Sequence, residues 1–112
     1  MLSEEERKAK TIKIHDMGHF IQQLKERGKN LFKKDSVREI YAEIELHLSN
    51  CSRCAFAKDE RTDVQSNYIA IFLTDAGGFT GIPCFVDNNF ITLFTIKDIL
   101  KDDYPNRYIS KY

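Results

Sequence analysis

The sequence predicts an α+β domain: a short N-terminal strand, two helices, then an antiparallel sheet of three to four strands. Three observations carry this reading. Two apolar stripes at helical spacing occupy the first half of the chain. Three runs rich in β-branched and aromatic residues, separated by Asp, Asn and Gly, occupy the second half. Finally, 112 residues with 42% hydrophobic content, eight Phe and five Tyr among them, suffice for one core and leave no room for a second. Residues 1–112 are therefore read as a single domain.

The segment 1–9 carries Glu4, Glu5 and Glu6 followed by Arg7 and Lys8 without apolar periodicity, which suits either a helical turn or a frayed tail. Lys10 to His15 alternates polar and apolar residues, as a half-buried strand does. Asp16 is placed as an N-cap, because its carboxylate can accept from free amides one turn later. Met17, Phe20, Ile21 and Leu24 then give a helix over 17–27, with Gly28 at the position of a left-handed C-cap. Asp35 and Ser36 offer a second cap. After them Val37, Ile40, Tyr41, Ile44 and Leu48 form the strongest periodic stripe in the chain, ending near Ser49 and Asn50. Residues 55–58 suggest a short strand. The run 67–74 reads as a central strand covered on both faces, because it is apolar almost throughout. A turn at 75–78 leads to a strand over 79–86, which Pro83 pushes toward an edge or a bulge. A turn at 87–89 leads to a strand over 90–96. Residues 97–100 suit a helical turn before a polar tail with Tyr104, Tyr108 and Tyr112.

Seventeen Lys and Arg balance seventeen Asp and Glu, which excludes a broadly polycationic nucleic-acid binder. No apolar run opens the chain and none reaches the roughly 20 residues that span a bilayer, so a signal peptide and membrane association are not expected. Three cysteines are an odd number and argue against a disulfide scaffold. The expected location is the cytoplasm. The neutral total is uneven, however. Residues 1–34 carry nine basic against five acidic side chains, and the excess concentrates in Lys25, Arg27, Lys29, Lys33 and Lys34. That cluster suits a local phosphate groove, and equally a solvated helix end whose cations complement the dipole.

Three constellations bear on chemistry. His15 and His19 stand four residues apart, but no third metal ligand accompanies them at a familiar spacing. His47, Cys51 and Cys54, with Cys84 as a fourth ligand, form a candidate tetrahedral zinc set; small buried thiols in an adequate core need no metal, and no cofactor is expected. The third set is diffuse: His19, Arg27, His47 and Arg53, with Lys58 and Arg61 on the following segment. Imidazoles can take a proton from a ribose 2′-hydroxyl and return one to the leaving 5′-oxygen, while guanidinium groups hold the phosphate.

The segment His19-Phe20-Ile21-Gln22-Gln23-Leu24-Lys25-Glu26-Arg27 resembles the His-x3-Arg-x3-Arg helix of the RegB-type phage endoribonucleases, and a His-and-Arg helix of small toxin-related domains. Glu39 to Ile44 resembles the second helix of the RegB type, and the order strand, helix, helix, meander is similar to the RelE-type toxin fold. Two positions depart from the pattern: Gln23 replaces the first motif arginine, and Ala42 stands where the family places a second-helix histidine, with His47 five residues further on. The resemblance implies metal-independent cleavage of RNA, including ribosome-bound message, through 2′-hydroxyl attack to a 2′,3′-cyclic phosphate. In that reading His19 and His47 are the acid and base and Arg27 and Arg53 contact the phosphate. Lys25, Lys29, Lys33, Lys34, Lys58 and Arg61 bind the nucleic acid. The alternative is a non-catalytic phage or bacterial regulator that binds a protein partner.

Overall fold

The computed structural model describes residues 2–50, 53–61, 63–75 and 77–96. Its elements are α1 (Glu4–Lys8), β1 (Thr11–Ile14), α2 (Met17–Gln23), a π-helical stretch (Leu24–Gly28), α3 (Lys29–Phe32), α4 (Val37–Asn50), β2 (Cys54–Lys58), β3 (Tyr68–Leu73), β4 (Phe79–Val86) and β5 (Phe90–Leu93). The class is α+β, with helices followed by one sheet. The sheet is larger than expected and mixed: five strands in the order β1-β5-β4-β3-β2, antiparallel except that β1 joins β5 in parallel. A half-buried N-terminal strand needs a neighbour for its amides. It finds one in β5, whose outer edge the β4–β5 hairpin leaves free, with Thr11 and His15 donating to Asn89 and Leu93. Among the described residues no helix is long and apolar enough to cross a membrane.

The N-terminal segment is a helix. Ser3 and Glu6 form a reciprocal capping box, and Leu2 and Arg7 are buried. Asp16 caps α2 by accepting from the His19 amide, and Ser36 caps α4 by accepting from Glu39. Gly28, in contrast, is not a left-handed cap: its φ is −62° and the helical backbone runs on to Phe32, where Lys33 (φ 49°) takes the left-handed position. The glycine instead serves close packing, since a Cβ there would meet Ile40 Cγ2 at 3.2 Å. Burial of Leu31 and Phe32 favours continuing the helix past it.

The core lies between the helices and one sheet face. Phe20, Leu24, Phe32, Ile40, Ile44 and Leu48 pack against Phe56, Phe72, Ile82, Ile91 and Leu93. β3 is covered on both faces as expected, its opposite side joining Ala57, Ile69 and Ile71 in a smaller cluster with Phe79. Gly77 and Gly78 both take positive φ in the β3–β4 turn. Asp87 closes the β4–β5 turn by accepting from Asn89 and Phe90. β4 is the middle strand, so Pro83 does not mark an edge. It pairs with Ile69 of β3 but turns its backbone toward β5, where it faces Phe94 just past the strand's end, so the missing donor interrupts no regular ladder; its carbonyl still accepts from Phe94.

Gln23 and Arg27, one turn apart at the π-helical stretch, grip both sides of Ile96: its N–H donates to Gln23 Oε1 at 2.9 Å and its carbonyl accepts from Arg27 at 3.1 Å. Gln23→Leu leaves the buried Ile96 N–H without its acceptor. The expected cost is about 1–3 kcal/mol, read as a lower urea midpoint at unchanged slope. The expected helical turn over 97–100 and the polar tail lie outside the described residues.

Candidate nucleic-acid interface

The strand pleat sends alternate residues to the side of the sheet away from the helices. On β1 and just beyond it these are Lys13 and His15; on β5 and beyond, Phe90, Thr92 and Phe94; on β4, Pro83 and Phe85. The strand order brings β1, β5 and β4 side by side, so these side chains form one surface. The His15 imidazole lies 4.9 Å from the Phe94 ring at a 50° tilt. Lys13 Nζ sits 3.6 Å over the Phe90 ring. Phe85, opposite Thr92 in the ladder, is 43% exposed. A groove lined by His15, Gln65, Phe85, Thr92 and Phe94 continues, through Gln65 and Phe94, into one bordered by Arg61, Ser66, Pro83 and Thr95. Aromatic faces, an imidazole, a carboxamide, hydroxyls and two cationic side chains thus share one open surface.

Arg61 is held at this surface by Asp59. Its Nε and one terminal nitrogen donate to the two carboxylate oxygens at 2.8 and 2.6 Å, and Ser66 donates to the same carboxylate at 2.5 Å. Burial raises the Asp59 carboxyl pKa, but hydrogen bonds from Arg61 and Ser66 outweigh it and hold the group below the ordinary carboxylate value. A depressed folded-state pKa contributes stability that is complete above the unfolded value and is lost as pH falls through the folded one. Thermal melts from pH 6 downward are therefore expected to show an acid-limb loss of stability that Asp59→Asn reduces, the variant being less stable near neutrality and less pH-sensitive below.

The residues expected to act together from sequence are spread over the molecule. His19 is exposed on the first turn of α2. His47 is buried on α4, its Nε2 3.2 Å from Glu43, whose other oxygen lies 3.8 Å from Lys34. Arg27 grips Ile96, and Arg53 pairs with Asp75 at 2.6 Å. Lys25, Lys29 and Lys33 are exposed along the π-helical stretch and α3, and Lys58 is exposed at the end of β2. None of the grooves described above is lined by His19 or His47. His15, placed by the sequence at the end of the first strand, lies exposed just past the end of β1 and not on the α2 face that carries His19.

Of the zinc set, Cys51 lies outside the described residues. Cys54 and Cys84 are both buried on the core face, on β2 and β4 with β3 between them. Burial first, and then the charge that Cys54 would carry, push the Cys84 thiol far above its ordinary pKa, so it stays protonated and donates to the Tyr68 carbonyl at 3.6 Å. Among the described residues no group of three His, Cys, Asp or Glu is placed to hold a metal ion. A separate, almost wholly apolar groove runs between α2 and α4, lined by Met17, Phe20, Ile21, Leu24, Val37 and Tyr41, with Arg38 beside them.

The sequence did not single out Lys13, Gln65, Phe85 or Phe94 as surface groups. The alternation in Thr11-Ile12-Lys13-Ile14-His15 already put Lys13 and His15 on one face. Phe85 was the outward member between the inward Cys84 and Val86, a signal visible once the strand was assigned. Comparison of the chain with protein-family models, with curated proteins and with solved structures finds no match.

Proposed function

We propose that the protein binds single-stranded RNA on the open part of its sheet formed by β1, β5 and β4. The observation that supports this reading is exposed Phe85 beside the His15–Phe94 ring pair, with Lys13 and Arg61 flanking them. Unpaired bases present a π-face to any aromatic ring, and a sheet holds such rings at fixed spacing. The test is fluorescence anisotropy with a labelled single-stranded oligoribonucleotide and its duplex form. Binding that favours the single strand is expected. An equal or greater affinity for the duplex, or none for either, counts against the reading. In the last case the non-catalytic, protein-binding alternative stands, with the apolar α2–α4 groove as its surface.

Cleavage is a second reading, favoured by His15 standing in the same groove. As the base, the imidazole would take the 2′-hydroxyl proton; the 2′-oxygen attacks phosphorus, the bond to the 5′-oxygen breaks, that oxygen leaves as the 5′-hydroxyl of the downstream fragment with a proton taken from water, and a 2′,3′-cyclic phosphate remains. Incubating RNA in EDTA with the wild type and with His15→Ala, His19→Ala and His47→Ala separates the assignments. Loss confined to His15→Ala supports the sheet-face site. Loss in His19→Ala and His47→Ala supports instead the pair named from sequence.

A further inference from the structure

The two edges of the sheet are treated differently. On β2 the hydrogen-bonded partners of β3 are Arg53 and, by alternation, Ala55 and Ala57, so the Cys54 carbonyl faces outward; Arg7 donates to it at 2.9 Å while stacking 4.5 Å over Phe56. On β1, Thr11 and His15 donate to β5, so Ile12 and Ile14 turn their amides and carbonyls to the free side, where no hydrogen bond to another described residue covers them. Edge strands are commonly guarded by a lysine, but Lys13 lies back over Phe90 and guards nothing. A groove runs along this edge between β1 and α4, with Ile12, Ala42 and Leu46 as its apolar lining and Lys10 and Glu45 as its charges; Leu46 is 55% exposed.

We propose that this edge pairs with the same edge of a second copy, β1 against β1 in antiparallel register about a two-fold axis at Ile12, which joins two five-stranded sheets into one. Three features select a copy of this chain as the occupant. The patch carries one cation and one carboxylate, and the chain as a whole has net charge zero, so two copies meet without electrostatic opposition. The register is self-complementary: Ile12 of each copy exchanges both backbone hydrogen bonds, and Ile14 N–H meets the carbonyl of Lys10 in the second copy. The Lys10 N–H is already used by the Arg7 carbonyl at 3.1 Å and is not needed. Centring on Ile12 also sets Lys13 opposite Thr11, whereas centring one residue later would oppose two ammonium groups. Ala42 and Leu46 of the two copies then close the helix side of the joint, an isologous contact.

Sedimentation velocity across a concentration series, combined with hydrogen–deuterium exchange, tests this independently of RNA binding. The wild type is expected to dimerise, with Ile12 and Ile14 amides gaining protection as the dimer forms. Leu46→Glu, an exposed position whose folding is checked by circular dichroism, is expected to weaken association at least tenfold. A chain that stays monomeric at millimolar concentration overturns the proposal. So does a dimer in which the Ile12 and Ile14 amides exchange as fast as in the monomer.

Discussion

Phe85→Ala is expected to weaken single-stranded RNA binding by about 5- to 150-fold, the equivalent of about 1–3 kcal/mol for one lost base–aromatic stack. The melting temperature should barely move, because the ring is 43% exposed and outside the core cluster. Phe85→Tyr should keep most of the affinity, since it retains the π-face. Salt dependence separates stacking from charge. If Lys13 and Arg61 each neutralise one phosphate, the log–log salt slope for a single strand is only about −1.4, at about −0.7 per phosphate. Asp59 offsets part of the Arg61 charge, so the true slope should be shallower still. The neutral composition that excludes a polycationic binder thus makes a specific demand: affinity must come from rings, and removing one must cost more than raising the salt. Anisotropy titrations of both Phe85 variants at two salt concentrations check this. An unchanged affinity in Phe85→Ala removes the sheet face as the interface.

How much of this was legible in the sequence depends on whether a signal was local. The α4 stripe and the Asp16 and Ser36 caps are local, and the structure places them where the pattern did. Gly28 carried a local signal that tertiary packing overrode: the approach of Ile40 requires the absent side chain, and burial of Leu31 and Phe32 continues the helix. Pro83 misled for a related reason. Its missing donor matters only where a neighbour would accept, and β5 ends one residue short of that point. That β1 completes the sheet beside β5 is a pairing between residues nearly eighty positions apart, which no periodicity encodes. The site reading inherits the same limit. His19 and His47 were joined by lying on consecutive helices, but one is exposed and the other is buried against Glu43. The side chains that share a surface come from β1, from the β4–β5 hairpin some seventy residues further on, and from the segment after β2, and only the sheet order assembles them.

Phe72→Ala is expected to have the largest effect on stability, for a reason that mirrors Phe85. Both are phenyl rings on neighbouring strands of one sheet, but Phe72 is fully buried on the helix side, edge-on to Phe32 of α3 at a centroid distance of 6.2 Å. Removing it costs the transfer of the ring and leaves a cavity that close-packed neighbours fill only in part, about 3–5 kcal/mol. Against a typical total of about 5–15 kcal/mol, that takes the domain to the margin of folding, with a fall in melting temperature of about 10–25 °C. Phe32→Ala closes a double-mutant cycle: the ring pair should show a coupling of about 0.5–1.5 kcal/mol beyond the area each buries. Denaturant unfolding of the two single variants and the double variant measures it. A coupling near zero would mean that α3 is held to β3 by bulk burial alone, and that the helical backbone continues past Gly28 for some reason other than placing Phe32 against the sheet.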